Sequence, residues 1–251
     1  MKLPFVETTH GLLLTQAEKK LSVNLALAAR MLSLDGHDDF NQGQISARLP
    51  KSDRFFIKQA MCGFNEARPD DMLMAFVDHK LPVNSSAPPE LPLHQAIYEI
   101  RPDVNAIIHS HAPYSLVFGA TDLEVLPVSH DGACFQGRIA RFVKTSQTVL
   151  NIQIAYDVAN ALGDCLAVLL RNHGSVVVGQ SIREATVLAQ ILERSCKIQL
   201  LAQSLHTPFH ISSSEDVTKK KEYIYSNLSI KLFWDYCVRR VKQTWEETKT
   251  W

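Results

Sequence analysis

The sequence predicts an α/β fold in which helices cover a sheet, and three observations carry that reading. Helical and strand patterns alternate along the whole chain, with no internal repeat and no clear linker, as expected of a single layered domain. Residues 104–109 and 165–170 are short, nearly continuous apolar runs, the composition of strands covered on both faces. Two capping boxes, Thr15 to Glu18 and Ser181 to Glu184, each place a hydroxyl three residues before a glutamate at the start of an amphipathic stretch.

The elements follow in order. Residues 1–14 read as an irregular lead-in. Thr15 opens a helix in which Leu21, Leu25, Ala28 and Leu32 recur at helical spacing, and Gly36 ends it. Residues 43–49 enter a strand, and residues 54–58 return as its hairpin partner across a Pro-Lys-Ser-Asp turn. Pro69-Asp70-Asp71 precedes a short strand over 72–77. Residues 82–89, PVNSSAPP, form a loop, because so much proline and serine suits neither a helix nor a central strand. Residues 91–100 have helical spacing and stop before Arg101-Pro102. A strand over 104–109 is followed by a helix beginning at 114–119, a strand over 125–128 and a polar loop over 129–135. A helix over 151–162 leads to the strand 165–170. Arg171-Asn172-His173-Gly174 interrupts that strand, which resumes over 175–178. The helix opened by Ser181 reaches about Ser204. After a polar break, one final helix is expected over 217–247. The chain divides on this reading into a domain over 1–210 and a helical extension over 211–251. The extension packs on the domain or on a neighbouring subunit, which its aromatic residues would suit.

Composition narrows the class. Lysine plus arginine equals aspartate plus glutamate, 26 each, so the zero formal charge offers no general attraction to nucleic acid or anionic membrane. The basic clusters at 219–221 and 239–240 lie in helical patterns and read as solvated faces. Five scattered cysteines contain no CxxC pair and signal neither a disulfide framework nor a zinc knuckle. No apolar run approaches membrane-spanning length, and the first residues lack a signal peptide's apolar core. A cytosolic protein with a small-molecule substrate, and without nucleic-acid or membrane partners, is expected.

The chemistry concentrates around Ile107-Ile108-His109-Ser110-His111. In a strand, residues i and i+2 share a face, so two imidazoles at its end can hold one ion. His173 stands at another strand end. Neutral imidazole suits zinc, manganese, iron and cobalt, and three protein ligands with open positions make a catalytic rather than a structural site. Glu90, before the helix at 91–100, offers a carboxylate as fourth ligand or general base, with His94 four residues on. Each element alone has a bland counterpart: core histidines for HxH, a helix-terminal acid for Glu90.

Together these residues carry a resemblance. Glu90-Leu-Pro-Leu-His94, Arg101-Pro102-Asp103-Val104, Ile108-His109-Ser110-His111-Ala112-Pro113 and Leu170-Arg171-Asn172-His173-Gly174 resemble, in order, the motifs of the class II aldolase/adducin family. Gly43-Gln44-Ile45-Ser46-Ala47-Arg48 is similar to that family's glycine-Asn-Ile-Ser-x-Arg loop. The resemblance implies a three-layer αβα sandwich around a mostly antiparallel sheet, and a homotetramer with sites between subunits. It implies a divalent metal (Zn, Mn, Co or Fe) on His109, His111 and His173, with Glu90 ligating or moving a proton. It also implies a substrate-binding loop comprising Gly43, Gln44, Ser46 and Arg48, although Arg48 has a second reading as a brace for the loop.

Two departures bear on substrate. The family's sugar-phosphate aldolases carry a serine pair before the glutamate, where this chain has Pro88-Pro89, and proline has no N–H or hydroxyl for an anion. Those aldolases also place a His-Tyr pair after the HxH strand, where this chain has His130-Asp131. The expected function is therefore a metal-dependent lyase, decarboxylase or retro-aldolase, acting on a non-phosphorylated hydroxy or keto acid through a metal-stabilised enolate. His130 or Asp131 would protonate the product. The alternatives are a non-haem Fe(II) oxygenase on the same scaffold, a sugar-phosphate aldolase or epimerase, and a non-catalytic adducin-like protein.

Overall fold

Successive residues of strand β4 (Ala106–Ser110) enter opposite cores: Ile107 joins one apolar cluster, while Ala106 and Ile108 join the other. The same alternation runs through β2 (Arg54–Lys58), β3 (Met72–Phe76), β6 (Ala167–Leu170) and β7 (Gly174–Gly179), whereas β1 (Gln44–Ala47) gives Ile45 and Ala47 to one cluster and sets the polar Gln44 and Ser46 on the other face. A sheet apolar on both faces needs a layer of helices on each side. The computed structural model describes residues 14–251, and the lead-in expected over 1–14 lies, except for Leu14, outside them.

With β5 (Ile139–Phe142), the strands form one sheet in the order β3-β2-β1-β4-β7-β6-β5. All pairs are antiparallel except β5 with β6. Helices α1 (Gln16–Leu34) and α6 (Ile182–Ser204) cover one face, joined by Phe118 of α3 (Pro113–Gly119) and Phe135 of α4 (His130–Phe135). Helices α2 (Leu91–Ile100) and α5 (Ile152–Leu162) cover the other. The fold is thus the αβα sandwich around a mostly antiparallel sheet that the motifs implied. The Thr15 box closes in both directions, Thr15 accepting from the Glu18 N–H and Glu18 accepting from the Thr15 N–H at 2.9 Å. At Ser181 the glutamate reaches one residue further back, accepting from the Gln180 N–H at 2.7 Å.

Three expectations need correction. Residues 125–128 are not a strand, because a side chain replaces the ladder: Gln199 Oε1 accepts from the Leu126 N–H at 2.7 Å. Residues 129–135 are not a loop. Ser129 caps α4 by accepting from the Gly132 N–H, and a Cβ at Gly132 would lie 2.4 Å from the Leu126 carbonyl oxygen, so that helix turn needs glycine to approach so closely. The helix expected over 217–247 is two, α7 (Ser214–Ile224) and α8 (Asn227–Thr244), because Ser226 caps the second by accepting from the Ser229 N–H. A 3-10 turn (Glu246–Thr250) follows. Strand β5 was not foreseen; its residues are mostly half-buried and include Arg141, which mutes the apolar signal.

Helix α8 buries Ile230, Trp234, Cys237 and Val241 against α1 and α6. At about 2 kcal/mol for each large apolar side chain, this amphipathic stripe holds α8 to the domain more firmly than its ion pairs do. Arg240 pairs with Asp35 at 2.9 Å, and the buried Arg30 pairs with Glu247 and lies near the rings of Trp245 and Trp251. The five cysteines are all free.

Candidate metal centre

Strand β4 ends at Ser110, so His109 projects from its last turn of pleat and His111 follows just beyond it. Antiparallel pairing sets His109 opposite Val176 of β7 and Ser110 opposite Ser175. The β6–β7 turn therefore hangs beside the end of β4. Asn172 takes a positive φ of 53° in that turn, which asparagine tolerates better than most residues. His173 sits on the turn. Gly174 lies so near β4 that a Cβ there would come within 2.5 Å of the Ser110 carbonyl oxygen and 2.8 Å of the His111 ring. Glu90 arrives from the opposite side, as the N-cap residue of α2, but makes no cap hydrogen bond. Its Oε1 instead accepts from the buried Val149 N–H at 2.9 Å.

These elements bring Glu90, His109, His111 and His173 together, with one ligand atom from each inside a 4.8 Å span. Glu90 Oε2 lies 3.1 Å from His109 Nε2, and Oε1 lies 3.5 Å from His173 Nε2. Donors about 2.1 Å from a tetrahedral ion stand about 3.4 Å apart, so those two spacings already match. The three imidazole centroids are 4.9 to 5.2 Å from one another.

The outward nitrogens fix which atom faces the centre. His109 Nδ1 donates to the Ser175 carbonyl at 3.0 Å, and His111 Nδ1 donates to the Asp39 carboxylate at 2.7 Å. Each therefore turns a lone pair on Nε2 inward, the tautomer a metal ion takes. Among the described residues both Nε2 atoms are buried without a hydrogen-bond partner, although Glu90 Oε2 lies 3.1 Å from that of His109. Two buried imidazole lone pairs with no proton donor, beside a carboxylate, fit a divalent cation.

Electrostatics agree. Burial opposes ionisation of Glu90, but positive charge placed among the histidines, at His109 first and then His173, together with the Val149 N–H, holds its carboxyl well below the usual range. Burial, then His109, pushes the His111 imidazole down, and the same causes hold His173 neutral to about 4. Burial also lowers His37 to about 4, and burial followed by His109 lowers His94 to about 3. In the unfolded chain all of these take protons near pH 6.5. Between pH 6.5 and 4 the unfolded state binds more protons, so stability falls as pH falls. With metal chelated, the urea midpoint is expected to be lower at pH 5 than at pH 7; an equal or higher midpoint at pH 5 contradicts the buried neutral histidines.

The model of the Class II Aldolase and Adducin N-terminal domain matches residues 23–200, which include all four clustered residues. The chain belongs to this family. A 4-hydroxy-3-prenylphenylpyruvate oxygenase/4-hydroxy-3-prenylbenzoate synthase of Streptomyces roseochromogenus subsp. oscitans is 30% identical over 200 residues, covering 76% of this chain and 71% of that protein. The decarboxylase NovR of Streptomyces niveus is 33% identical over 119 residues, 47% of this chain and 44% of NovR. An L-fuculose 1-phosphate aldolase from Glaciozyma antarctica PI12 shares the fold, with a TM-score of 0.80 at 20% identity over 99% of this chain and 96% of that one.

The remaining residues read as class II aldolase site residues stand apart from the cluster or behind it. Gln44 is directly across the sheet from His109, and its buried Oε1 has no hydrogen-bond partner among the described residues. Gly43 takes a φ of 73° and packs under the Phe64 ring. Ser46 is fully buried and bonds His94 and Tyr98. Arg48 donates to the carbonyls of Val104 and Arg101 and stacks on Tyr98, contacts that fit its second reading as a brace. Asp131 pairs with Arg194 at 2.9 Å and accepts from the Tyr225 hydroxyl. His130 is exposed. Among the described residues no hydrogen bond or ion pair joins His130 or Asp131 to the cluster. Asp39 was missed, because nothing local distinguishes it from Asp38 and its partner His111 is 72 residues away.

Proposed function

We propose that the protein is a divalent-metal-dependent carbon–carbon lyase acting on a non-phosphorylated hydroxy or keto acid, with decarboxylation favoured over retro-aldol cleavage. The observation that carries this reading is the Glu90–His109–His111–His173 group with its two unpartnered inward Nε2 atoms. A bound divalent ion would supply Lewis-acid stabilisation of the enolate left when the bond breaks. His109, His111 and His173 would hold it. Three neutral ligands leave the ion its full positive charge, and the protein's part is to keep that charge dry and fixed. Glu90, ionised and restrained by Val149, ligates or moves the proton.

Pro88 and Pro89, directly before Glu90, have neither hydroxyl nor N–H for a phosphate, which supports a non-phosphorylated acid. The name of the NovR relative supports decarboxylation. Among the described residues neither His130 nor Asp131 bonds or pairs with the cluster, so we assign a proton-donor role to either only across the subunit contacts of the tetramer that the family resemblance implies. We also propose a cytoplasmic location, for which the described residues offer only that no helix is long and apolar enough to cross a membrane. The division at residue 210 is a proposal too, supported by a family match that ends at residue 200.

The oxygenase reading has one specific support, the 30% identical Streptomyces relative named as an oxygenase. Purified protein incubated with aromatic and aliphatic 2-keto and 2-hydroxy acids separates the readings. Metal-dependent release of carbon dioxide without oxygen uptake is expected. Iron-dependent oxygen uptake supports the second reading, and cleavage of sugar phosphates alone overturns both.

A further inference from the structure

His37 is buried, and no step of the proposed reaction uses it. Its Nδ1 lies 2.8 Å from the Oγ of Ser110, which is also buried, and among the described residues this is the one hydrogen bond its ring makes. Ser110 stands between His109 and His111, two members of the cluster. The sequence accounts for the meeting. Ile108 projects into the core under α1 and α6, so Ser110, two residues on, projects to the same face. Helix α1 stops before Asp35, Gly36 takes a φ of 87°, and the His37 N–H bonds back to the Leu32 carbonyl at 3.0 Å. That turn brings the His37 ring against the end of β4.

Residues 35–43 join α1 to β1. Among the described residues, two side-chain hydrogen bonds tie this loop to the end of β4: His37 to Ser110, and Asp39 to His111 at 2.7 Å. Its other side-chain anchors lie elsewhere. Asp35 pairs with Arg240 of α8, Asp38 accepts from Ser33 at 2.6 Å, and Asn41 donates to the Ala60 carbonyl at 3.2 Å. Two adjacent carboxylates therefore have different partners, and a slip of one residue would offer Asp38 to His111. The His37–Ser110 bond opposes that slip. It is two residues from Asp39, it grips the residue beside His111, and water cannot compete for it in the interior.

The backbone points the same way. Phe40, next to Asp39, has a φ of 52°, in the left-handed region that bulky residues avoid. Its side chain is 88% exposed, so side-chain packing does not demand that conformation. The strained residue lies in a turn closed by the Gln42 N–H on the Asp39 carbonyl at 2.9 Å. Such strain persists where surrounding contacts over-determine the chain, and the contacts of His37 and Asp39 with β4 do so here. Burial pushes the His37 imidazole down to about 4, so the ring stays neutral and adds no charge beside the cluster.

We infer that His37 is a positioning residue for the candidate metal centre: by holding Ser110 it sets the register of the 35–43 loop against β4, so that Asp39 meets His111 and turns its Nε2 inward. The inference rests on the metal reading of the cluster, and its two tests fail separately from that reading.

The first test needs no metal. In the full chain stripped of metal, the His111 Nδ1 proton, identified in imidazole NMR by its disappearance in Asp39→Ala, is expected to exchange slowly with water. Ser110→Ala and His37→Leu are each expected to speed that exchange about tenfold or more. An unchanged rate in Ser110→Ala overturns the inference. The second test is chelator competition for Zn(II). The same two variants are expected to weaken binding about threefold to tenfold, less than the loss of a direct partner of a ligand. His37→Asn, whose amide falls near the Nδ1 position and can hold Ser110, is expected to stay within about twofold of the native chain. With Asp39 already replaced by alanine, His37→Leu should cost nothing further. A loss as large as in the native background means that His37 only supports the fold, and it overturns the inference. If the native chain binds no metal, the metal reading falls and the exchange rate alone decides. If His37→Leu fails to fold, Ser110→Ala, which removes a single hydroxyl, decides.

Discussion

Alanine at position 109 is expected to remove most of the bound metal, from about one ion per chain to a small fraction, with affinity reduced about 100-fold or more. His109 is the only cluster member with no exposure at all, and its Nε2 is 3.1 Å from the Glu90 carboxylate. Its loss takes away one of three imidazole lone pairs and widens the gap that the remaining ligands would have to close. The fold should survive. The Ser175 carbonyl loses its donor, which costs about 1–3 kcal/mol, a tolerable fraction of a domain's stability. Elemental analysis after dialysis, with circular dichroism as the folding control, makes the measurement. Asp39→Ala gives the graded comparison, because Asp39 orients His111 without belonging to the cluster and should cost less than the ligand itself. Equal metal content in native and His109→Ala protein would sink the assignment.

How much of this was legible in the sequence depends on the range over which each signal acts. Helix α1 was readable because its cap, its apolar period and its stop all lie within the helix and its flanks. The HxH strand was readable because a two-residue period is local and its face is set by the pleat alone. The three histidines could be joined only through family motifs, since nothing local says that the β6–β7 turn returns beside β4. The hidden features are those decided by distant partners. Residues 125–128 look like a strand until Gln199, more than 70 residues later, takes the Leu126 N–H. The contacts of Arg48 with the carbonyls of Arg101 and Val104, more than 50 residues away, are equally hidden from the sequence. His130-Asp131 occupied the place of a catalytic pair in the motif, yet the Asp131 carboxylate is held by Arg194 and Tyr225. Asp39 belongs with these: a polar residue in a polar loop acquires its role from a histidine on another strand.

Gly174→Ala is the second large effect expected, and it strikes fold and site together. The glycine has no unusual φ, so the need for it is spatial. An added methyl would meet the Ser110 carbonyl oxygen at 2.5 Å and the His111 ring at 2.8 Å, distances at which something must shift. The carbonyl cannot move without disturbing β4, whose residues pair with β7 from Ala106 to Ser110. The ring can rotate, but only by giving up the hydrogen bond to Asp39 that turns its Nε2 inward. Overpacking of this kind costs about 1–3 kcal/mol, which for a chain of this size lowers Tm by about 2–4 °C for each kcal/mol. Metal affinity should fall about tenfold or more, because whichever neighbour moves belongs to the strand end that carries two of the ligands. Alanine at Gly137 separates this effect from a general glycine penalty. Gly137 has a φ of 70° and open space around it, so its alanine is expected to lower Tm through backbone strain while leaving metal affinity unchanged. Calorimetry and chelator titration on the two variants read both quantities. A Gly174→Ala protein with native metal affinity would mean that His111 is not held where the geometry puts it.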